Sequence, residues 1–194
     1  MEQNPIRLFA QLYEKFLKTD VPEPMDTAVV LSTTGQHCKP SSRVVLLKEF
    51  DDRGFVFYTN LESRKTTELK RNPYAALCFY WESIHYQVRI EGSVEQVSDE
   101  EADAYFATRP RGSQIAAWAS KQSSTLKDRS ELEARFQELE KKFAGKEVPR
   151  PPFWSGIRVK PERIEFWKRY ENRLHERILY IRKKDTWIRT LLYP

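Results

Sequence analysis

Residues 43–60 read RVVLLKEFDDRGFVFYTN, two apolar runs joined by a short polar segment. Both runs are rich in the β-branched and aromatic residues that favour strands. The segment between them, Asp51-Asp52-Arg53-Gly54, contains the residue types that tight turns prefer. The stretch therefore predicts a β-hairpin, with one strand over Arg43–Phe50 and the other over Phe55–Thr59.

Similar short β-rich runs recur on both sides of this hairpin. The predicted strands are Thr27–Thr33, Tyr74–Trp81, His85–Val97, Gly156–Val159, Ile164–Lys168, Arg177–Arg182 and Thr186–Leu192. A turn over Gly35–Pro40 separates the first strand from the hairpin, and the three prolines in residues 146–152 indicate a connector. Short strands joined by tight turns favour an antiparallel sheet.

Four helices are predicted between the strands. Residues 7–18 place apolar side chains at helical spacing, and residues 64–70 form a short helix before Asn72-Pro73. A capping box at Ser98 starts a helix that ends near Arg109, because Pro110 follows. A fourth helix carries one apolar stripe of Leu132, Phe136, Leu139 and Phe143. The expected fold is α+β, a closed or partly closed antiparallel β-barrel with inserted helices.

Composition restricts the class of protein. The chain has 194 residues, of which 40% are hydrophobic, 31% charged and 13% aromatic, so it is globular rather than disordered. Its two cysteines, Cys38 and Cys78, exclude a disulfide framework and suit a reducing compartment. The longest run without charged residues is the twelve residues Thr27–Cys38, too short to span a bilayer, and no signal peptide is visible. A cytoplasmic protein is expected.

The positive charge is concentrated near the C-terminus. The net charge is +5, yet residues 158–194 hold eleven Lys and Arg against five Asp and Glu, a balance of +6. The remaining 157 residues hold 22 against 23, a balance of −1. Such a cluster fits nucleic acid, an anionic membrane, small phosphorylated ligands, or simply a solvated edge.

Three local features suggest binding of small anions. Ser63-Arg64-Lys65 puts two cations in the first turn of a helix, where they oppose the helix dipole unless an anion binds there. Tyr105 and Arg109 share a helix face, with Arg111 and Ser113 just beyond Pro110. Arg173, His175 and Arg177 share a face if their segment is extended. Each feature also has a purely structural interpretation: exposed charges for the first, a helix C-terminal cap for the second and a solvated edge strand for the third.

Other familiar sites are absent from the sequence. It contains no G-x-G-x-x-G, no P-loop and no G-x-S-x-G. The three histidines His37, His85 and His175 show no metal-ligand spacing, so no metal is expected.

Taken in order, the motifs resemble the pyridoxine (pyridoxamine) 5′-phosphate oxidase family. The resemblance runs from about residue 26 to Pro194. It is carried by Arg43-Val-Val-Leu-Leu-Lys48, Val56-Phe-Tyr-Thr-Asn60, Ser63-Arg-Lys65, Tyr105-Phe-Ala-Thr-Arg-Pro-Arg111, Ser113-Gln-Ile, Trp118-Ala-Ser-Lys-Gln-Ser-Ser124, Pro152-Phe-Trp154, Ile164-Glu-Phe-Trp167 and Arg173-Leu-His175.

The resemblance implies a split β-barrel homodimer with FMN at the subunit interface. The expected organisation is an N-terminal helix and lead-in over residues 1–25, followed by one FMN-binding domain over 26–194 that includes C-terminal dimerisation strands. The implied FMN contacts are Arg43, Val44, Val45, Leu46, Leu47, Lys48, Tyr58, Thr59, Arg64, Lys65, Gln87, Gln122, Ser123, Trp167 and Arg177. The implied substrate contacts are Lys48, Tyr105, Arg109, Ser113, Arg173 and His175, the last two being the catalytic pair.

The implied reaction is oxidation of pyridoxine or pyridoxamine 5′-phosphate to pyridoxal 5′-phosphate. A hydride passes from C4′ to flavin N5, and O2 reoxidises the flavin to give H2O2. Neither nucleic acid nor membrane is an expected partner. Two points do not match simply. Alternation puts Arg43 and Lys48 on opposite faces of one strand. The longer N-terminal segment usual in the family is not found, unless Ile6–Leu17 replaces it.

Three alternatives remain open. The first is another oxidase of the same barrel family, such as one of phenazine biosynthesis, which would take a bulkier tricyclic acid. The second is a non-enzymatic split-barrel protein that holds flavin or haem as a sensor or carrier. The third is a nucleic-acid-binding module that uses the basic C-terminal strands; it predicts strongly salt-dependent binding and no flavin.

Overall fold

The computed structural model describes residues 2–194 and contains one antiparallel sheet. Its strands are β1 (Ala28–Thr34), β2 (Pro40–Leu46), β3 (Glu49–Asp51), β4 (Gly54–Asn60), β5 (Tyr74–Trp81), β6 (Tyr86–Gln96), β7 (Trp154–Lys168), β8 (Glu176–Lys183) and β9 (Thr186–Leu192). The helices are α1 (Pro5–Leu17), α2 (Arg64–Arg71), α3 (Asp99–Thr108), α4 (Arg111–Ala119) and α5 (Arg129–Lys142). The strand order is β2-β1-β5-β6-β7-β4-β3, and β8 and β9 extend from β7. The α+β prediction is confirmed. In the described part of the chain no helix is long and apolar enough to cross a membrane.

The long strand β7 divides the sheet. Along one side it pairs with β6; along the other its first half pairs with β4 and its second half with β8. The prediction of two separate strands here, Gly156–Val159 and Ile164–Lys168, is wrong. Pro161 suggested a break, because proline has no N–H to donate to a neighbouring strand. It lies, however, between the half of β7 that pairs with β4 and the half that pairs with β8, so no strand on that side needs its N–H. A register shift at Glu91/Gly92 of β6 accommodates it on the other side.

The predicted strand Arg43–Phe50 is also two strands. The chain leaves β2 at Leu46, and β2 pairs with β1, whereas β3 pairs with β4. At the crossing, the Leu47 N–H donates to the Thr27 carbonyl at 2.8 Å and the Lys48 N–H donates to the Val56 carbonyl at 2.9 Å. Arg43 and Lys48 therefore do not belong to one regular strand, and simple alternation between them does not apply.

The predicted helices are present, and one further helix is found. The Asn4 side chain caps α1, whose Phe9 and Phe16 enter the main apolar core. The capping box at Ser98 forms as predicted. No helix was expected after Pro110, but α4 begins there and packs Ile115 into a second cluster with Phe106, Phe143, Val148 and Trp154. Of the predicted stripe, Leu132, Phe136 and Leu139 are half-buried on α5, whereas Phe143, just after the helix, is buried in this cluster.

The segment before β8 is not extended. Glu171–Arg173 forms a 3₁₀ turn in which Asn172 and Arg173 have positive φ angles of 52° and 60°. The strand begins only at Glu176, so Arg173, His175 and Arg177 do not alternate along one strand. The prediction of a shared face, made for an extended segment, fails for Arg173.

Candidate active site

A cavity of about 270 Å³ lies between the β2–β3 crossing, β4, α2 and α3. It is lined by Val44, Val45, Leu46, Lys48, Tyr58, Thr59, Lys65, Tyr105, Arg109, Gln122 and Trp154. Ten of these eleven are predicted site residues, so the fold gathers segments that are far apart in the chain. The exception is Trp154, which is in the Pro152-Phe-Trp154 motif but was assigned no role.

Stacked aromatic rings form one wall of this cavity. The ring centroids of Tyr58 and Tyr105 are 3.9 Å apart, and those of Tyr58 and Trp154 are 5.2 Å apart. The Tyr58 hydroxyl donates to Glu49 at 2.8 Å. The stack requires glycine opposite Tyr58, because a Cβ on Gly156 would lie 2.8 Å from the ring.

Arg109 supplies a half-buried positive charge to the same wall. Its guanidinium lies 4.8 Å from the centroid of the Trp154 ring. Among the described residues its Nη1 is buried and has no hydrogen-bond partner. Burial lowers the pKa of Arg109, although Tyr105 opposes the shift. A buried donor without an acceptor costs about 1–3 kcal/mol, so this nitrogen is suited to an incoming anion. Ser113 follows in the first turn of α4 but does not line the cavity.

Lys65 supplies a second cation, and this one is buried. Its Nζ donates to the Thr59 hydroxyl at 2.9 Å, the Ser63 hydroxyl at 3.0 Å and the Gln122 side-chain oxygen at 2.8 Å. Burial, together with the charge of Arg43, lowers the pKa of Lys65 to about 8. All three partners are neutral, and the residue is only 9% exposed. An anion beside Lys65 would therefore meet an ammonium with no carboxylate against it.

Arg64 and Ser123 line a neighbouring cavity of about 430 Å³, and Gln122 lines both. Arg43 is turned toward β1, where it donates to the Leu31 carbonyl and the Thr33 hydroxyl. Leu47, predicted as an FMN contact, has its side chain in the main core and lines neither cavity. The predicted phosphate-binding segment, Ser63-Arg64-Lys65, thus lies at the start of α2, next to both cavities.

The other predicted residues form a second cluster. Gln87, Trp167 and Arg177 lie side by side on β6, β7 and β8, because Trp167 pairs with both of the others. The His175 ring is 4.6 Å from the Trp167 ring, and its Nδ1 accepts the Tyr170 backbone N–H at 3.2 Å. The neutral ring therefore carries its proton on Nε2. Arg173 lies on the adjoining turn.

One copy of the chain does not bring the two clusters together. Tyr58 pairs with Gly156 at the start of β7, whereas Trp167 is eleven residues further along that strand. Eleven residues correspond to roughly 36 Å of strand at about 3.3 Å per residue. No hydrogen bond or ring contact joins the clusters within the described residues.

Two family models match the chain. Residues 17–143 match the model described as pyridoxamine 5′-phosphate oxidase. Residues 154–194 match the model described as the pyridoxine 5′-phosphate oxidase C-terminal dimerisation region. The second match contains β7, β8 and β9, and with them Trp167, Arg173, His175 and Arg177.

Named relatives are similar over nearly the whole chain. The pyridoxine/pyridoxamine 5′-phosphate oxidase of Myxococcus xanthus (strain DK1622) is 56% identical over 191 residues, which cover 98% of this chain and 92% of that protein. The protein of the same name from Rubrobacter xylanophilus is 54% identical over 193 residues, covering 100% of this chain and 88% of that protein.

Solved structures show the same fold. PhzG from Burkholderia lata 383, crystallised with tetrahydrophenazine-1-carboxylic acid, has a TM-score of 0.92 at 34% identity, covering 100% of this chain and 94% of that chain. A pyridoxamine 5′-phosphate oxidase-related, FMN-binding protein from Nostoc punctiforme has a TM-score of 0.77 at 16% identity, with both chains fully covered. The split-barrel prediction is confirmed. The chain belongs to the pyridoxamine 5′-phosphate oxidase family, a family of FMN-dependent oxidases, as its ordered motifs predict.

Proposed function

We propose that this protein oxidises pyridoxine 5′-phosphate or pyridoxamine 5′-phosphate to pyridoxal 5′-phosphate with bound FMN. The observation that carries the proposal is the buried, unpartnered Nη1 of Arg109 in a cavity that Lys48 and Tyr105 also line. Such a site suits a phosphate carried by a small ring. The relatives named above support the choice of substrate. The low cysteine count supports a cytoplasmic location.

The residues around Lys65 fit the phosphate end of FMN. Lys65 and Arg64 lie in the first turn of α2, where the helix dipole favours an anion. The Ser63 side chain makes no capping bond to this turn, so its backbone N–H groups are not taken by a side-chain cap. Val44, Val45 and Leu46 line the same cavity as Lys65 and would flank the flavin.

Each group has a defined task in this proposal. When bound, FMN supplies the electron acceptor for oxidation at C4′ and passes the electrons to O2, giving H2O2. Arg109, Lys48 and Tyr105 bind the substrate phosphate and so fix one end of the ring. The role of Ser113, which lies in the first turn of α4 outside the cavity lining, rests on the family resemblance alone. The stacked wall of Tyr58, Tyr105 and Trp154 excludes water from that end. An error of about 1 Å in such positioning can cost about a hundredfold in rate.

His175 would act as a hydrogen-bond donor. Because its Nδ1 accepts the Tyr170 N–H, the Nε2–H of the neutral ring is the group left for substrate. It orients an oxygen of the substrate rather than removing a proton. Arg173, on the adjoining turn, covers the substrate from the same side.

We propose that a complete site needs two copies, one giving the Arg109 cluster and the other the Trp167 cluster. The separation of the clusters along β7 and the match to a dimerisation region support this. Mixing Arg109→Ala chains with Arg173→Ala chains tests it at low substrate concentration. About half of the dimers are then mixed, and each has one intact site of two, so about a quarter of wild-type activity returns. No gain on mixing would contradict a shared site.

The function is tested by an absorbance spectrum of the purified protein without oxygen, before and after pyridoxamine 5′-phosphate is added. A flavin spectrum that bleaches and returns in air supports cofactor, substrate and oxidant together. Bleaching by pyridoxine 5′-phosphate alone would narrow the substrate. A flavin that stays oxidised with both would contradict the proposal.

A phenazine-type oxidation is the second candidate, because PhzG shares the fold closely. Identity to PhzG is 34%, against 56% and 54% to the two oxidases named for vitamin B6 phosphates. The cation pair of Lys48 and Arg109 also suits a phosphate dianion. The same anaerobic absorbance experiment, repeated with a reduced phenazine carboxylic acid, separates the two candidates by showing which compound bleaches the flavin.

A further inference from the structure

Glu68 is a buried carboxylate that the proposed mechanism has not used. Its side chain is 8% exposed and lies on α2, at the junction with β1 and β2. Oε2 accepts the Thr33 hydroxyl at 2.5 Å and lies 3.3 Å from Nη2 of Arg43. Oε1 accepts Nε–H of Arg64 at 2.8 Å. One carboxylate thus joins two of the predicted FMN-binding cations.

The position of this carboxylate is tightly restricted. A Cβ on Gly35 would lie 3.1 Å from Oε1, so the turn before β2 packs directly on Glu68. Burial alone would raise the pKa of Glu68, but the hydrogen bonds from Thr33 and Arg64 and the charges of Arg64 and Arg43 outweigh burial and lower it. Glu68 is therefore ionised at neutral pH.

The contacts leave part of Arg64 free for an anion. Glu68 takes the Nε side of Arg64, and no described residue bonds its two terminal nitrogens. Arg43, Arg64 and Lys65 would otherwise repel one another at the start of α2, and the charge of Arg43 is, after burial, the second cause that lowers the pKa of Lys65. A fixed negative charge behind the arginines offsets it.

We propose that Glu68 is a positioning residue for the phosphate of FMN: anchored by Arg43 and Thr33, it holds Arg64 in the orientation that receives the phosphate. The inference rests on the proposed function, because it takes FMN as the ligand. It assigns to Glu68 no contact with the flavin ring. Its effect therefore depends on whether the flavin carries a phosphate.

Removing the charge of Glu68 has two opposite consequences. A site with one negative charge fewer attracts a phosphate more strongly. Arg43 keeps its bonds to the Leu31 carbonyl and the Thr33 hydroxyl, but Arg64 loses its one bond and must then be ordered when the phosphate binds. The cost of ordering Arg64 outweighs the gain if Glu68 is a positioning residue. FMN affinity that falls when the charge is removed indicates a positioning residue, whereas FMN affinity that rises indicates only an excess negative charge near the phosphate.

The test compares FMN with riboflavin, which lacks the phosphate, on the full-length apoprotein by flavin-fluorescence titration. In Glu68→Gln, which preserves shape but not charge, we expect FMN affinity to fall about fivefold, as ordering the one side chain of Arg64 predicts, and riboflavin affinity to stay as in wild type. A general loss of structure would weaken both flavins equally. Equal weakening, an unchanged FMN-to-riboflavin ratio, or tighter FMN binding would each overturn the inference.

Two further variants complete the design. Glu140→Gln removes the same charge from an exposed residue of α5 that lines neither cavity and forms no ion pair in the described chain, and it keeps the wild-type ratio. Glu68→Asp keeps the charge but is one methylene too short to reach both arginines, so the ratio falls even if Glu68→Gln does not fold. A wild-type ratio in Glu68→Asp overturns the inference. If wild-type protein itself binds no FMN, the proposed function fails instead.

Discussion

Raising the pH through 8 should weaken FMN binding, because of Lys65. In the apoprotein its pKa is lowered to about 8, first by burial and second by the charge of Arg43. A bound phosphate favours the protonated ammonium and raises this pKa again. The second pKa of a phosphate monoester is about 6, so FMN is already a dianion across this range. Binding then takes up a proton only above pH 8, and affinity is highest below that value.

The size of the effect follows from simple titration. With a pKa of about 8, Lys65 is about nine-tenths protonated at pH 7 and about one-tenth protonated at pH 9. The association constant should therefore fall about tenfold between these pH values, about 1.4 kcal/mol. Affinity falls as the pH rises because the pKa of Lys65 is lowered in the free protein and restored in the complex, so that above pH 8 binding requires Lys65 to take up a proton.

The assay is fluorescence titration of apoprotein with FMN from pH 6.5 to pH 9.5 at constant ionic strength. Lys65→Arg is the matched control, because a guanidinium stays protonated throughout and should remove the slope. Riboflavin titrated in parallel separates the phosphate from the ring. An FMN affinity that is flat from pH 7 to pH 9, or an undiminished slope in Lys65→Arg, would refute the reasoning.

Three other substitutions follow from contacts in the structure. Arg109→Ala should raise the substrate KM about 10- to 100-fold, by losing about 1.5–3 kcal/mol of charge-assisted hydrogen bonding, and leave FMN affinity unchanged. Arg129→Ala, which removes an exposed arginine, is the control for charge. Loss of FMN with a normal KM in Arg109→Ala would contradict the assignment. Gly156→Ala should push the Tyr58 ring aside, weaken FMN binding and lower the unfolding free energy in urea by about 1–3 kcal/mol; wild-type values for both would refute the close approach. Arg158→Ala should lower that free energy by about 2 kcal/mol, since its 3%-exposed side chain bonds Asp51 and Glu101. Arg53→Ala, on the same acids but 61% exposed, should cost under about 1 kcal/mol, and equal losses would argue against the role of burial.

The sequence predicted elements whose signals are local. The turn at Asp51–Gly54 and the capping box at Ser98 depend on a few adjacent side chains, and both form. The start of α2 at Arg64 was likewise predicted correctly. Periodicity alone placed most strands within one or two residues.

The errors arose where distant parts of the chain decide the conformation. Pro161 normally ends a strand, and it is tolerated in β7 only because neither β4 nor β8 pairs with it. The α4 sequence has Gly112 near its start and shows little periodic signal; it is helical because Ile115 packs on Trp154 and Phe106. The break at Leu47–Lys48 depends on partners in β1 and β4.

The sequence predicted which residues belong to the candidate site, but not how they are arranged in space. All eleven cavity residues lie in the ordered motifs and ten of them were predicted site residues, yet nothing in the sequence shows that Gln87, Trp167 and Arg177 lie far along β7 from them. That separation depends on strand register. Trp154 could have been included, because an aromatic residue closing a matched motif is a reasonable candidate for the wall of a pocket.

Part of the positive charge of the basic C-terminal region has a structural explanation that does not require nucleic acid. Arg163 pairs with Glu91, Arg169 with Glu82, and Arg177 with Glu165. These acids lie on β6, on β7 or just before β6, so the cations hold the dimerisation strands to the rest of the sheet. A surface that neutralises nucleic-acid phosphates needs cations that are free to release counterions. Five of the eleven cations in residues 158–194 form ion pairs, namely Arg158, Lys160, Arg163, Arg169 and Arg177, and four of these five pair with acids from earlier in the sequence. These pairs explain part of the uneven distribution of charge along the chain.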